Sequence, residues 1–139
     1  MIKKISAFSL ISLTLILYIN CVQGYSDQSS QIIKKISVEE ADKLINERKD
    51  DPNLIILDVR TPDEYKTGHI KNSLNINFKS NNFKEEVDKL GKNNTYLVHC
   101  RSGKRSSKAI EIMRELNFRE VYNMGGIIQW KEKGFEISE

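Results

Sequence analysis

A cysteine in a short basic loop is the residue of this chain best suited to covalent chemistry. Cys100 follows an apolar, β-prone run at residues 95–99, and the next seven residues, RSGKRSS, supply three cations, one glycine and three serines. Apolar residues then recur at helical spacing, which predicts a helix over residues 106–116 with Ser106 as its N-cap. We therefore expect Cys100 between the C-terminal end of a strand and the N-terminus of a helix.

That position favours an anion. The first backbone N–H groups of a helix have no partner within it, and they carry the positive end of its dipole. Arg101, Lys104 and Arg105 add positive charge to the same loop. Together these groups should lower the pKa of Cys100 and hold it as a thiolate, which is the nucleophilic form. A free cysteine is more often buried and inert, but the basic loop favours a nucleophile here.

The rest of the chain predicts alternating strands and helices. The run LIILDV at residues 54–59 is continuously apolar up to Asp58, as in a strand buried on both faces of a parallel sheet. Capping boxes beginning at Ser37 and Thr61 predict two helix starts. Further strands are predicted at residues 32–36, 73–77, 95–99 and 121–124, and further helices at residues 83–90 and around Trp130.

Short connections between such elements indicate an α/β domain with a mainly parallel sheet. Sites in these sheets lie outside the carboxyl ends of the strands. That rule should bring Asp58, Arg60 and the Cys100 loop to one edge of the sheet. Asp58 and Arg60 are predicted to support the site structurally, with Arg60 pairing with Glu64 at the start of a helix.

Residues 1–24 are interpreted as an export signal, because Lys3 and Lys4 precede an uncharged apolar run that ends near Ile19. Two processing schemes stay open: cleavage after Gly24, or a loose lipoprotein box, YINC, in which Cys21 is lipidated. An uncleaved anchor is the third reading. Residues 25–31 are predicted to be a polar tether and residues 32–139 a folded domain. The expected location is the periplasm or cell envelope, with membrane attachment only through a lipid on Cys21.

The charge balance and the cysteine pattern argue against two classes of function. The chain has 22 basic and 19 acidic residues, and two of the basic residues belong to the export signal. The near-neutral remainder gives no reason to expect a nucleic-acid partner. A redox enzyme of the CxxC type is excluded because the Cys100 loop has no second cysteine.

Several segments in order resemble single-domain rhodaneses, the thiosulfate sulfurtransferase family. The resemblance covers roughly residues 36–135, and it rests on the segments LDVR, EY, GHI, NI, CRSGKRS and GG with Trp130. Asn77 stands where many members have proline. The resemblance implies a central parallel sheet of about five strands with helices on both faces. It also implies that Cys100 carries a persulfide, within a six-residue loop at residues 100–105, and that no metal or other cofactor is needed.

The family moves a sulfane sulfur from thiosulfate or another persulfide to cyanide or a thiol, and a dedicated protein partner stays open as donor or acceptor. Mapped onto this chain, the resemblance predicts Cys100 as the catalytic residue. The substrate-binding residues are then predicted to be Arg101, Ser102, Gly103, Lys104, Arg105 and Ser106. His69 and His99 are predicted to take no part in the chemistry.

Two alternatives come from other classes. The dipeptide His99-Cys100 with Gly103 also resembles the phosphatase signature HCxxGxxR, which arsenate reductases of this type share. In that signature the arginine lies six residues after the cysteine, whereas position 106 here is serine. The second alternative is a non-catalytic binding module of the rhodanese-like fold, although inactive versions typically lack the cysteine.

Overall fold

The computed structural model describes residues 30–139. The export signal predicted at residues 1–24, with Cys21, and residues 25–29 of the predicted tether lie outside the described residues. Within residues 30–139, strands and helices alternate in this order: β1 Ile32–Lys35, α1 Val38–Glu47, β2 Leu54–Asp58, α2 Pro62–Lys66, β3 Leu74–Asn75, α3 Phe83–Asp88, β4 Thr95–Cys100, α4 Lys104–Glu115, β5 Glu120–Gly126 and α5 Ile127–Glu132.

The strands form one five-stranded sheet in the order β1-β5-β4-β2-β3, and every pair of neighbours is parallel. This confirms the predicted α/β fold with a parallel sheet. All six residues of β4 are buried, because β4 lies at the centre of the sheet between β2 and β5. The edge strand β3 pairs with β2 at only two positions, so it is shorter than the predicted strand at residues 73–77.

Helices cover both faces of the sheet, as expected. Residues of α3 and α4, among them Val87 and Met113, pack with Tyr96, Val98 and Cys100 in one apolar cluster. A second cluster joins residues of α1 and α5 to Leu97 of the same central strand. Successive β4 residues thus enter opposite clusters, as the two-residue period of a strand requires. Of the helices in residues 30–139, none has the length and apolar character that crossing a membrane would need.

Two of the three helix starts predicted from caps are confirmed. Ser37 and Thr61 each form a full capping box, with Glu40 and Glu64 respectively. The prediction that Ser106 is the N-cap of the helix after Cys100 is wrong, because α4 begins at Lys104 and its N-cap is Gly103. Ser106 instead lies inside the first turn and is fully buried.

Candidate active site

Cys100 is the last residue of β4, and its thiol lies at the base of the loop that leads into α4. The residue is only 1% exposed. The N–H of Gly103 donates a hydrogen bond to Sγ over 3.1 Å, and the hydroxyl of Ser106 lies 3.7 Å from the same sulfur. Gly103 has φ of +97°, a conformation that glycine adopts without strain. The loop therefore turns back over the sulfur of its own first residue.

Together, the hydrogen bonds to Sγ have a larger effect on the pKa of Cys100 than its burial has. Burial acts to raise the pKa of Cys100, but the N–H and hydroxyl of Ser106 and the N–H groups of Ser102 and Gly103 lower it. The net effect is a pKa below the ordinary value of a cysteine thiol. Donors that stabilise the charged form of a group favour its ionisation, so the geometry is that of a thiolate site.

The three cations that follow Cys100 have different surroundings: Arg101 lies in the loop, and Lys104 and Arg105 are the first two residues of α4. Arg101 and Lys104 are exposed, and their side chains form no hydrogen bond or ion pair with any residue of the described range. Arg105 instead binds Glu64 of α2 through two hydrogen bonds, of 2.6 and 2.7 Å. Arg101 and Lys104 are thus open to an anion approaching the loop, whereas the guanidinium of Arg105 already holds a carboxylate.

The pair between Glu64 and Arg105 joins α2 to α4 beside the loop. Arg105 is the main reason that the pKa of Glu64 is lowered to about 2, with further hydrogen bonds from Thr61 acting against burial. The side chains are 30% and 19% exposed respectively. A partly buried ion pair with two hydrogen bonds contributes more to the free energy of unfolding than an ordinary surface ion pair does, although solvent still screens it.

Replacement of Glu64 by Gln should therefore remove a pH-dependent part of the stability. A carboxylate whose pKa is depressed on folding stabilises the protein above its unfolded pKa, near 4.5, and loses that contribution as pH falls toward 2. We expect Glu64→Gln to lower the free energy of unfolding by about 1–2 kcal/mol at pH 7 and to have much less effect near pH 2.5. Urea unfolding between pH 2.5 and pH 7 measures this free energy for Glu64→Gln and for the control Asp63→Asn, which changes an exposed neighbouring carboxylate. An equal effect at both pH values would contradict the assignment.

Asp58 and Arg60 form a buried ion pair at the carboxyl end of β2. Their side chains are 0% and 4% exposed, and Arg60 Nε and Nη2 bind the carboxylate at 2.6–3.0 Å. The same guanidinium donates to the carbonyl oxygens of Glu64 and Gly68. The predicted pair of Arg60 with Glu64 is not an ion pair: Arg60 binds only the backbone carbonyl of Glu64, because its charge is matched by Asp58 and the Glu64 carboxylate is bound by Arg105.

No hydrogen bond joins either histidine to Sγ: the Nδ1 atoms of His69 and His99 lie 3.3 Å from the carbonyl oxygens of Tyr65 and Cys100 respectively. His99 is fully buried with Nε2 3.6 Å from Asp58 Oδ2, and burial lowers its pKa more than Asp58 raises it, so it is neutral. His69 stacks on Tyr65, with 4.0 Å between the ring centroids. The surroundings of both histidines therefore indicate a role in packing, and neither is placed to transfer a proton to the sulfur.

Two residues near the loop were not predicted to belong to the site: Asn123, and Gly126, which entered only through the GG segment of the resemblance. Asn123 of β5 is 3% exposed and its amide oxygen lies 2.9 Å from the Ser106 hydroxyl. Gly126 pairs with Cys100 across the sheet, and a Cβ on it would lie 2.3 Å from the carbonyl oxygen of Arg101. The available signal for Asn123 was an amide side chain within the predicted strand at residues 121–124.

A cleft of about 710 Å³ lies on the β1 side of the loop. Ser102, Gly103 and Lys104 form one wall, and residues of the β1–α1 junction and of α5 form the others. Its volume is within the range of small-molecule sites. No cluster of His, Cys, Asp and Glu side chains suited to a metal ion occurs among residues 30–139.

Comparison with known proteins agrees with this geometry. Residues 37–133 match the family model of the Rhodanese-like domain. A protein of Schizosaccharomyces pombe, provisionally named a mitochondrial thiosulfate sulfurtransferase, is 32% identical over 76% of this chain and 84% of its own length. A tRNA uridine(34) hydroxylase of Yersinia pestis is 33% identical over 66% of this chain, but the match spans only 27% of that protein.

A solved structure shows the same fold. The crystal structure of a rhodanese-related protein from Thermoplasma volcanium superimposes with a TM-score of 0.60 at 31% identity, over 78% of this chain and 98% of that one. The family match, the sheet order and the loop around Cys100 all lead to one assignment. The chain belongs to the rhodanese-like domain family.

Proposed function

We propose that the protein is a sulfurtransferase that carries a sulfane sulfur as a persulfide on Cys100. The observation that carries this proposal is the hydrogen bonding of Sγ. Backbone N–H groups of the loop and of the first turn of α4, together with the Ser106 hydroxyl, surround a buried sulfur whose pKa is lowered. Fixed donors of this kind stabilise a charge on sulfur before and after the reaction, as an oxyanion hole does for oxygen.

The reaction balances without an oxidant or a cofactor. The Cys100 thiolate attacks the outer sulfur of thiosulfate, a new S–S bond forms, and sulfite leaves with the electron pair of the broken S–S bond. Cyanide or a thiolate then attacks the terminal sulfur of the persulfide, and Sγ leaves as the thiolate with which the cycle began. A persulfide on a small molecule or on a partner protein serves equally as donor, and a protein thiol as acceptor.

The phosphatase or arsenate reductase alternative has less support. That chemistry relies on an arginine six residues after the cysteine, and the residue there, Ser106, is fully buried against Asn123. Arg105, one residue earlier, is held by Glu64. No free guanidinium of the loop thus stands where an arginine would bind a tetrahedral oxyanion.

A binding module and a role on tRNA are the remaining alternatives. A lowered thiol pKa is of no use to a module that only binds, and the nearly neutral charge of the domain offers little attraction for RNA. The tRNA hydroxylase relative is similar over about a quarter of its length. Most of the hydroxylase therefore lies outside the match, and its activity on tRNA is not a reason to propose the same activity for this chain.

Intact-mass measurement tests the proposal. The chain with Cys21→Ser retains Cys100 as its one thiol, and incubation with thiosulfate should add one sulfur, about 32 Da, that cyanide removes. A further Cys100→Ser replacement should abolish the gain. Turnover of p-nitrophenyl phosphate or arsenate without a sulfur adduct would move the assignment to the phosphatase class. No reaction with thiosulfate, persulfide donors or these substrates would favour a binding module.

Lys104 should attract thiosulfate to the loop. Because its exposed ammonium has no partner within residues 30–139, Lys104→Gln should raise the KM for thiosulfate about three- to fivefold with little change in kcat. The rate of thiocyanate formation from thiosulfate and cyanide measures both constants. Lys108→Gln, one turn further along α4, is the matched control and should leave KM unchanged. An equal rise for both variants would indicate a general charge effect.

A further inference from the structure

The hydroxyl of Ser106 faces more acceptors than it can serve. Its Oγ lies 2.9 Å from Asn123 Oδ1, 3.1 Å from the Gly103 carbonyl oxygen, 3.3 Å from the Gly125 carbonyl oxygen and 3.7 Å from Cys100 Sγ. A hydroxyl has one proton to donate. The nearest neutral acceptor, Asn123 Oδ1, and the sulfur therefore compete for the same hydrogen bond.

The orientation of the Asn123 amide is fixed by its other neighbours. Asn123 Nδ2 donates to Ser107 Oγ over 2.8 Å, and Ser107 uses its own proton on the Gly103 carbonyl oxygen. Asn123 Oδ1 also accepts the N–H of Gly125 over 3.0 Å. A reversed amide would bring two donors together at Gly125. The carbonyl end of Asn123 must therefore face Ser106.

We propose that Asn123 is a positioning residue that sets the reactivity of Cys100, by competing with its sulfur for the hydroxyl proton of Ser106. While Cys100 is a thiol, the hydroxyl donates to Asn123 Oδ1. When the sulfur becomes a thiolate or a persulfide anion, the hydroxyl rotates and donates to sulfur, because a hydrogen bond to a charged acceptor is the stronger one. No covalent bond changes in this exchange.

This inference rests on the proposed function, since it concerns the sulfur that would carry the persulfide. Asn123 would act through Ser106 and would not touch substrate. The exchange would keep the hydroxyl hydrogen-bonded in every state of the sulfur, so a buried polar group is never left without a partner. The same competition would make the ionisation of Cys100 sensitive to any change in the strength of Asn123 as an acceptor.

The test follows alkylation of Cys100 by iodoacetamide against pH in the full chain, read by mass spectrometry on the Cys100-containing peptide. Asn123→Asp places a stronger, charged acceptor beside Ser106. The pH midpoint of the alkylation rate should therefore rise by about one unit or more, and at pH values below the midpoint alkylation should be about tenfold slower than in the wild type. Asn123→Ala removes the competing acceptor and should lower the midpoint. Asn75→Ala is the matched control, because its amide binds only carbonyl oxygens of Asp58 and Arg60.

The Ser106→Ala background decides whether Asn123 acts through the hydroxyl. In that background Asn123→Ala should no longer move the midpoint. A purely structural Asn123 would loosen the loop, so both replacements would raise the midpoint with or without Ser106, and that result would overturn the proposal. Because alkylation needs no sulfur donor, a failure to form the persulfide would leave this result unaffected.

A second measurement avoids substitution of Asn123, in case those variants do not fold. The NMR signals of the Asn123 side-chain amide should titrate in the wild type with the same midpoint as Cys100 alkylation. In Ser106→Ala that change should be lost, because no hydroxyl leaves Oδ1 when the sulfur ionises. Signals that titrate equally in both proteins would report only a nearby charge and would refute the exchange.

Discussion

Gly126→Ala is expected to abolish sulfur loading on Cys100. The added Cβ would lie 2.3 Å from the carbonyl oxygen of Arg101 and 2.6 Å from Ser102 Cα, and both of these are backbone atoms. No side-chain rotation relieves such contacts, so Arg101 and Ser102 must move by about 1 Å to reach the 3.4 Å of an ordinary contact. The Gly103 N–H depends on that path for its hydrogen bond to the sulfur.

A displacement of about 1 Å in a catalytic group costs on the order of a hundredfold in rate. The initial rate of persulfide formation, followed by intact mass, should fall by at least that factor in Gly126→Ala. Gly134→Ala is the matched control: Gly134 has φ of +77° and open space around it. That variant should lose about 1 kcal/mol of stability from backbone strain and keep the loading rate. Wild-type loading by folded Gly126→Ala would show that the loop path is not required.

The elements of the fold were predictable because each depends on local pattern. The apolar run at residues 54–59 places β2 within a residue of its observed bounds, and the two capping boxes place the starts of α1 and α2. The periodicity of the apolar residues also predicts which side of each helix is buried, because that side packs against one face of the sheet. Strand order came from no such pattern, since the parallel pairing of β1 with β5 joins segments far apart in the chain.

The partners of the charged residues were less predictable, because they depend on three-dimensional proximity. Glu64 lies four residues after Arg60, which suggested a pair, yet its carboxylate binds Arg105, 41 residues away. Ser106 shows the same limit for a hydroxyl: its side chain was expected at a helix end and instead faces Cys100 and Asn123. The position of Cys100 between a strand and a helix and the lowered pKa of its thiol could be predicted, because one contiguous segment holds the groups responsible.

Arg60→Met is expected to destabilise the fold by about 3–5 kcal/mol, because it leaves the Asp58 carboxylate buried without its cation. The carbonyl oxygens of Glu64 and Gly68 lose a donor in the same variant. Asp58→Asn should also destabilise the fold, because it leaves the Arg60 guanidinium buried without its anion. The double replacement should cost less than the two single costs together, as expected of groups in direct contact.

Urea unfolding of the wild type, the two single variants and the double variant measures this coupling. The persulfide assay, normalised to folded protein, separates a structural pair from a catalytic one. No hydrogen bond joins Asp58 or Arg60 to the sulfur, so folded variants should load Cys100 within a few-fold of the wild-type rate. A loss of a hundredfold or more in fully folded protein would instead place the pair in the chemistry. Strict additivity of the two stability costs would mean that the buried carboxylate finds its stabilisation elsewhere. The nearest remaining donor in Arg60→Met is the backbone N–H of residue 60, which lies 2.9 Å from Asp58 Oδ1.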